Sequence, residues 1–398
     1  MIDEAERAEH VDRQYADHFG HRAPGLTYAP GRVNIIGEHV DYNEGWVLPA
    51  AIERSVLLAF EPVTEPEMEI VAIDLGRTIR LPLREATGGR PSAQSSLPSW
   101  MRYPAGVAWA LEQSGRSVCG LRAAFASSVP IGAGLSSSAA VEAAFALAWQ
   151  AAGGWSASAM ELALMCQQAE NEYVGVHCGL MDQFASLHGQ RGQALILDCR
   201  TLAWEPVPIP AEAVVVVADS GVRRHLGASA YNTRRAECDE AVRLLQPRLP
   251  GIRTLRDVTP TDFAQHAAAL PPAIRCRAQH VIEECERTHK MAAALRLADL
   301  ARAGDLLNQS HESLRRLYEV SGPELDALAL AARGLHGCYG ARLTGAGFGG
   351  CTVQLVAGEH AEDFSRSLEA EYARTTGRQA AVMITTPAQG AQVLRFPG

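Results

Sequence analysis

Two short stretches hold residue types that can do chemistry. In residues 130–149, PIGAGLSSSAAVEAAFALAW, a glycine-rich turn runs into an alanine-rich helix with serines across its first turn. Gly132 and Gly134 open backbone angles closed to other residues and let the main chain approach a ligand. Ser136, Ser137 and Ser138 add hydroxyls beside the unpaired N–H groups of the helix, where the dipole also favours an anion. The arrangement is a phosphate cradle by physical type, although a serine-capped strand-to-helix turn has the same composition. In the second stretch, LTYAPGRVNIIGEHVDYNEGWVLPAAI (26–52), Glu38, His39 and Asp41 crowd one turn near Asn43. Carboxylates that each accept two hydroxyl hydrogens, beside a histidine that can donate or accept, suit a polyhydroxylated ligand such as a sugar. A solvated hairpin turn also has this composition. A metal fits the stretch less well, with one histidine and no recognised ligand spacing.

The rest of the chain limits what those stretches can belong to. At 398 residues it exceeds what one core usually supports, so two domains are expected. With 47% apolar and 20% charged residues the composition is that of a soluble globular protein, and a net charge of −9 argues against nucleic acid as the main partner. No apolar run approaches a membrane span, and the acidic start MIDEAERAEH is unlike a secretory signal, so no membrane partner and a cytoplasmic location are expected. Nine cysteines without a C-x-x-C pair fit reduced thiols. Of the 36 basic residues only Lys290 is a lysine, and it lies in neither a Walker A loop nor a kinase strand motif. A nucleotide bound here has to be held by backbone N–H groups, arginine and a metal.

The elements that position these residues follow from periodicity and breakers. Residues 5–20 read as a surface helix. Pro30-Gly31 breaks the chain before a short strand at Val33 to Ile36, and SVLLAFEPV, MEIVAID and TIRLPL are strand-like. The segment 88–100 is a polar loop, 101–113 a helix, and LRAAFASSV a strand feeding the cradle. A second helix is expected over 156–175 and a third over 179–189, with Asp182 near its first turn, where an aspartate also serves simply as a helix-stabilising charge. The domain boundary is placed near 205, in TLAWEPVPIP, giving domains 1–205 and 206–398. VVVVADS (214–220) is a buried strand leading through a polar turn to a helix with Tyr231, and 272–335 is helical apart from breaks near Gly304 and Gly322. ARLTGAGFGGCTVQLV (341–356) reads strand, glycine turn, strand; a dinucleotide-binding fold needs a helix after such a turn.

Taken in order, GRVNIIGEHVDYNEG (31–45), VPIGAGLSSSAA (129–140), CGLMDQFASLHG (178–189) and LTGAGFGGC (343–351) resemble the motifs of galactokinases, a branch of the GHMP family of small-molecule kinases. The resemblance spans nearly the whole chain. The second and fourth motifs are shared across the family, whereas G-R-V-N-I-I-G-E-H is specific to the galactokinase branch. It implies an α+β, two-domain GHMP kinase fold with the active site in the cleft between the domains. The reaction implied is transfer of the γ-phosphoryl group of ATP to the anomeric hydroxyl of D-galactose.

Carried over position by position, the resemblance implies that Arg32 and Asp182 flank the reacting hydroxyl. Glu38, His39, Asp41, Gly179 and Tyr231 then hold the sugar. Gly132, Ala133, Gly134, Leu135, Ser136, Ser137 and Ser138 wrap the triphosphate of ATP, and Ser138 with Glu170 binds Mg2+, a cation suited to a few hard oxygens. The flanking sequence of Glu170, QQAENEY, otherwise reads as an exposed helical face. Val40 stands where many galactokinases have threonine, a change of packing under the sugar loop. An aspartate, with an ordinary pKa of ~3.9, is a weak base for a sugar hydroxyl, which makes Asp182 an orienting group and late proton acceptor. A monomer is expected. A kinase for N-acetylgalactosamine and a non-catalytic galactose sensor are the alternatives; APGRVN, lacking the lysine of A-P-G-K, weakens a mevalonate kinase.

Overall fold

The computed structural model describes residues 4–88, 97–223 and 227–397. Most of the polar loop expected at 88–100 therefore lies outside the described residues, as does part of the turn before Tyr231. Eight strands form the first sheet: β1 (Gly25–Ile36), β2 (Trp46–Val63), β3 (Glu67–Ala72), β4 (Arg77–Pro82), β5 (Gly120–Ser127), β6 (Gln193–Asp198), β7 (Trp204–Pro208) and, from the far end of the chain, β12 (Gln392–Arg395). Its main order is β12-β1-β2-β5-β3-β4, with β6 pairing to the start of β2 and β7 to β6; only β3 and β5 run parallel. The second sheet contains β8 (Ala213–Asp219), β9 (Cys338–Thr344), β10 (Cys351–Ala357) and β11 (Ala381–Thr385) in the order β11-β8-β10-β9, all antiparallel.

The two-residue alternation of strands decides what covers each face. Along β2, Leu57 and Ala59 turn toward α1 (Glu4–Phe19), packing with Val11 and Tyr15. Val56, Leu58 and Phe60 turn the other way, into the main core with α2 (Leu83–Thr87), α3 (Arg102–Gln113), α4 (Ser137–Gly153), α5 (Ala159–Gln168) and α6 (Met181–His188). The unbroken VVVV run of β8 has the same cause. Val215 and Val217 face α9 (Pro272–Arg296) and α10 (Leu300–Ser313), while Val216 and Ala218 face α11 (Pro323–Gly334) and α12 (Ala361–Thr376). Each such fully buried valine or leucine stabilises the fold by about 1.5–3 kcal/mol. The remaining helices, α7 (Gly227–Leu245) and α8 (Pro260–His266), pack on the α9 side. Val33, Ile35 and Leu48 of the first sheet share one cluster with Val215, Val353 and Leu355 of the second, so the two halves are joined through a common apolar seam.

Several expectations change. β1 does not break at Pro30-Gly31; it runs through them from Gly25 with a register shift between Pro30 and Arg32, because the missing proline N–H falls at an irregularity in the ladder. TLAWEPVPIP, the stretch given for the domain boundary, contains β7. The helix expected over 156–175 ends at Gln168, and Ala169–Val174 form a wider π turn. The break expected near Gly304 falls instead between α9 and α10, with Ala298 left-handed. Gly304 lies inside α10 because the helix is pressed onto β9: a Cβ there would stand 1.9 Å from the Tyr339 carbonyl.

Candidate active site

The site grows out of the C-terminal end of β1. Arg32 lies on that strand, buried, with its backbone N–H donating to the Leu135 carbonyl at 3.1 Å. Gly31 is needed beside it, because a Cβ would meet the same carbonyl at 2.6 Å. The cradle is thereby laid against β1. Within the cradle the residues alternate: Gly132, Gly134, Ser136, Ser137 and Ser138 face a cavity of about 540 Å³, whereas Ala133 and Leu135 are buried in the apolar seam. Ser136 takes a left-handed backbone angle, φ 58°, and α4 starts without a side-chain cap. Its hydroxyl is buried and unpartnered. A helix N-terminus with free N–H groups and an unused hydroxyl is the donor set a phosphate requires.

Arg32 reaches across the cavity. Its Nε donates to Asp182 Oδ1 at 2.8 Å, its Nη2 stands 2.6 Å from the same oxygen, and its Nη1 donates to the Gly134 carbonyl at 2.7 Å. One guanidinium thus fixes both the cradle backbone and the first-turn aspartate of α6.

The turn after β1 delivers the polar cluster. Glu38 is buried, and its Oε1 accepts from Arg342, from Gly345 N at 2.6 Å and from Thr344 Oγ1 at 3.3 Å. Arg342, itself fully buried, also donates to the Ile35 carbonyl, so Glu38 is held by the second sheet and by the glycine turn at 344–350. His39, left-handed at φ 62°, lies 3.2 Å from the Ala346 carbonyl through Nε2 and 2.8 Å from the Tyr42 hydroxyl through Nδ1. A carbonyl only accepts, so Nε2 carries a proton. Asp41 Oδ1 accepts from the Tyr42 N–H at 3.0 Å. Burial and the nearby charge of Asp182 push the Asp41 carboxyl up to about 7. Gly179 packs on it, and a Cβ there would stand 2.1 Å from Asp41 Oδ2. Tyr231 lies on α7 against His39, ring centroids 5.4 Å apart, with its phenol kept protonated by burial and by Asp41. Val40 is fully buried below this turn, against Gly45.

Glu170 is not an exposed helical residue. The π turn carries it inward until its Oε1 stands 3.4 Å from Ser138 Oγ, while Oε2 accepts from Gln183 Nε2 at 2.6 Å. Burial and the charge of Asp182 raise its carboxyl to about 7. A hydroxyl and a carboxylate at the mouth of the phosphate cradle, both hard oxygens, fit a magnesium ion that takes its other ligands from phosphate and water.

Of the residues expected to act on sugar, ATP or magnesium, all but Ala133, Leu135 and Gly179 line one cavity. Tyr231, Gly345 and Ala346 bring in the second half of the chain, which makes the cavity a cleft between the two halves. Sequence reasoning missed its apolar end, where Leu75, Trp100, Phe125 and Val141 form walls, and missed Gln183 and Glu142 beneath Glu170. Trp100 at the start of the α3 region was the one available signal, a large aromatic closing a polar stretch.

Comparison with known proteins agrees with this geometry. Residues 13–62 match the galactokinase galactose-binding signature, 102–190 the N-terminal domain of GHMP kinases and 291–374 their C-terminal domain. The chain is 45% identical to a galactokinase of Roseiflexus sp. (strain RS-1) over 390 residues, covering 98% of this chain and 97% of that one. It is 43% identical to a galactokinase of Chloroflexus aurantiacus, covering 94% and 95%. Among solved structures, Lactococcus lactis galactokinase complexed with galactose superposes with a TM-score of 0.90 at 31% identity, over 96% of this chain and 98% of that one. The Methanococcus jannaschii mevalonate kinase, at TM-score 0.64 and 17% identity over 92% and 98% of the two chains, shares the fold alone. With the galactose-binding signature and both GHMP kinase domains matched, and relatives above 40% identity along nearly the whole chain, this chain belongs to the galactokinase family of GHMP kinases.

Proposed function

We infer that the protein is an ATP-dependent galactokinase, converting D-galactose and ATP to α-D-galactose 1-phosphate and ADP. The observation that carries this is the shared cavity: the polar cluster of Glu38, His39, Asp41 and Tyr231 and the cradle at 132–138 open into one space, with Arg32 and Asp182 between them. In this reading the sugar hydroxyls bind the polar cluster, the triphosphate lies along the cradle and the α4 N-terminus, and the flat apolar walls at Leu75, Trp100 and Phe125 take the base. Asp182 accepts a hydrogen bond from the anomeric hydroxyl and orients its oxygen for in-line attack. The new O–P bond forms as the bond from the γ-phosphorus to the bridging oxygen breaks, and the proton passes late to Asp182 and then to solvent. Because phosphoryl transfer runs through a loose transition state, positioning and charge neutralisation account for most of the catalysis. Arg32 is the cation that offsets charge on the transferred group, in a chain whose single lysine, Lys290, pairs with Glu286 away from the cleft. Ser138 and Glu170 would hold a magnesium ion, and the chemistry it would supply is neutralisation of phosphate charge.

All nine cysteines are free thiols, which supports a reducing, cytoplasmic compartment, and the protein is read as a monomer there. The test is ADP release on adding galactose and MgATP, with the phosphate located by its coupling to the anomeric proton in NMR. Phosphate on C1 supports the reading; phosphate on C6, or ADP release that does not depend on sugar, overturns it.

A further inference from the structure

Beneath the cavity lies a buried polar group that phosphoryl transfer as described does not use. Gln183 follows Asp182 on α6 and is fully buried, as is Glu142 on α4. The Gln183 amide nitrogen donates to Glu170 Oε2 at 2.6 Å and to Glu142 Oε2 at 3.0 Å. A primary amide nitrogen has two hydrogens, and here both are committed to carboxylate oxygens. The consequence for Glu170 is geometric. One of its oxygens is tied down into the protein, and the other is left beside Ser138 Oγ at the cradle.

Glutamine is the residue type that suits this place. Joining two carboxylates takes two donors, and a lysine or arginine would supply them together with a positive charge that neutralises Glu170 against any cation. A neutral amide gives the geometry and leaves the charge of Glu170 available. Neighbouring residues on a helix point roughly 100° apart. Asp182 can therefore face Arg32 and the sugar while Gln183 faces Glu170, and the first turn of α6 sets both ends of the reacting centre.

We propose that Gln183 is a positioning residue for phosphoryl transfer. It holds the Glu170 carboxylate in the orientation that presents one oxygen to the metal-nucleotide, and Glu142 is the buried acceptor that anchors the amide. The proposal rests on the reading of Glu170 as a magnesium ligand. Partners that orient metal-binding carboxylates typically carry tenfold or more in metal affinity. Gln183→Met keeps the length and removes both donors. Glu142→Gln keeps an acceptor oxygen for the amide, and Glu142→Leu removes it.

The experiment is titration of Mn2+ into the full enzyme with a non-hydrolysable ATP analogue bound, read by EPR, beside galactose binding by calorimetry. Gln183→Met should weaken Mn2+ about tenfold while galactose affinity stays within about twofold, a split that a general loss of structure does not produce. Glu142→Leu should weaken the metal about threefold or more, with Gln183 still in place, so the idea stays testable if Gln183→Met fails to fold. Glu142→Gln should return metal affinity to within about twofold of the parent. Glu170→Ala separates the two claims. If it leaves Mn2+ binding unchanged, the ligand reading falls and this proposal with it. If it weakens Mn2+ while Gln183→Met and Glu142→Leu do not, only the positioning role is overturned.

Discussion

Asp182 and Asp41 are three-atom carboxylates in one cavity, and the groups around them assign them different work. Asp182 meets Arg32 through both Nε and Nη2, while Asp41 has a single backbone N–H and the bare Cα of Gly179. Replacing Asp182 with asparagine keeps the pocket's shape but removes the charged acceptor, so galactose binding by calorimetry should stay within a few fold while kcat drops about a hundredfold or more. Gly179→Ala drives a methyl group into the Asp41 carboxylate and should raise the galactose KM about tenfold with a smaller change in kcat. Asp41, raised to about 7, accepts sugar hydroxyls best when ionised, in company with Glu38, Asp182 and Arg32. The KM for galactose should therefore rise as pH falls below about 7, approaching tenfold per unit, which initial rates from pH 5.5 to 8.5 will show. The effect on stability has the opposite sign: the folded chain keeps a proton that the unfolded chain releases near 3.8, so the unliganded protein loses stability as pH rises from about 4 to 7. At this scale the motif residues were legible because their types are unusual together in a turn. Gln183, Glu142 and Arg342 were not, since a buried residue's partners are chosen by packing between segments 13 to more than 300 positions apart.

The long helix α9 supports the sugar turn from below. Glu284, fully buried on it, accepts from Gly37 N at 3.1 Å, Ser310 Oγ at 2.6 Å and Arg287 Nε at 2.7 Å, tying the turn after β1 to α9 and α10. Burial alone would raise its pKa, but Arg287 and the other donors outweigh that and bring it to about 2. A depressed carboxylate contributes stability that is complete above about 4.5 and lost as pH falls from there toward 2. Glu284→Gln leaves Arg287 with the half-exposed Glu283 as its remaining carboxylate partner, beside Ser313 Oγ, and should lower unfolding stability by about 3 kcal/mol, with a flatter acid limb between pH 4.5 and 2.5 in urea titrations. Element existence was well marked in the sequence: α1, α3, β5, β8 and the β9-turn-β10 unit fall where periodicity put them. Misread elements share a cause. Pro30-Gly31 and Gly304 are local breakers that tertiary contacts accommodate, in a bulge and a tight helix-strand contact. The π turn at 169–174 has no composition signature at all.

Across the whole molecule, the two halves are locked by the apolar seam, and β12 returns from the end of the chain to pair with β1. Arg395 there meets Asp12 at 2.9 and 2.7 Å, and the ring of Phe396 stacks on Phe60 at 5.2 Å. The cleft is thus bounded by segments from residue 32 to residue 346, and its shape is a property of the assembled chain. Substrate choice belongs to this scale, because galactose and glucose differ in the direction of one hydroxyl. A rigid pocket separates them when one epimer leaves a buried polar group unpaired, at about 1–3 kcal/mol. Asp41, which lines the cavity and takes one backbone N–H on Oδ1, supplies such a group, and Glu38 under Arg342 and His39 between Ala346 and Tyr42 fix the turn that carries it. The measurement that tests the account most directly is kcat/KM at fixed MgATP for galactose, glucose, N-acetylgalactosamine, arabinose and mevalonate. The account predicts galactose first, ahead of glucose by at least about tenfold to a hundredfold, with ADP release matching sugar phosphorylated at C1. Equal efficiency on glucose, a higher value for the amino sugar, or no turnover of galactose would contradict it.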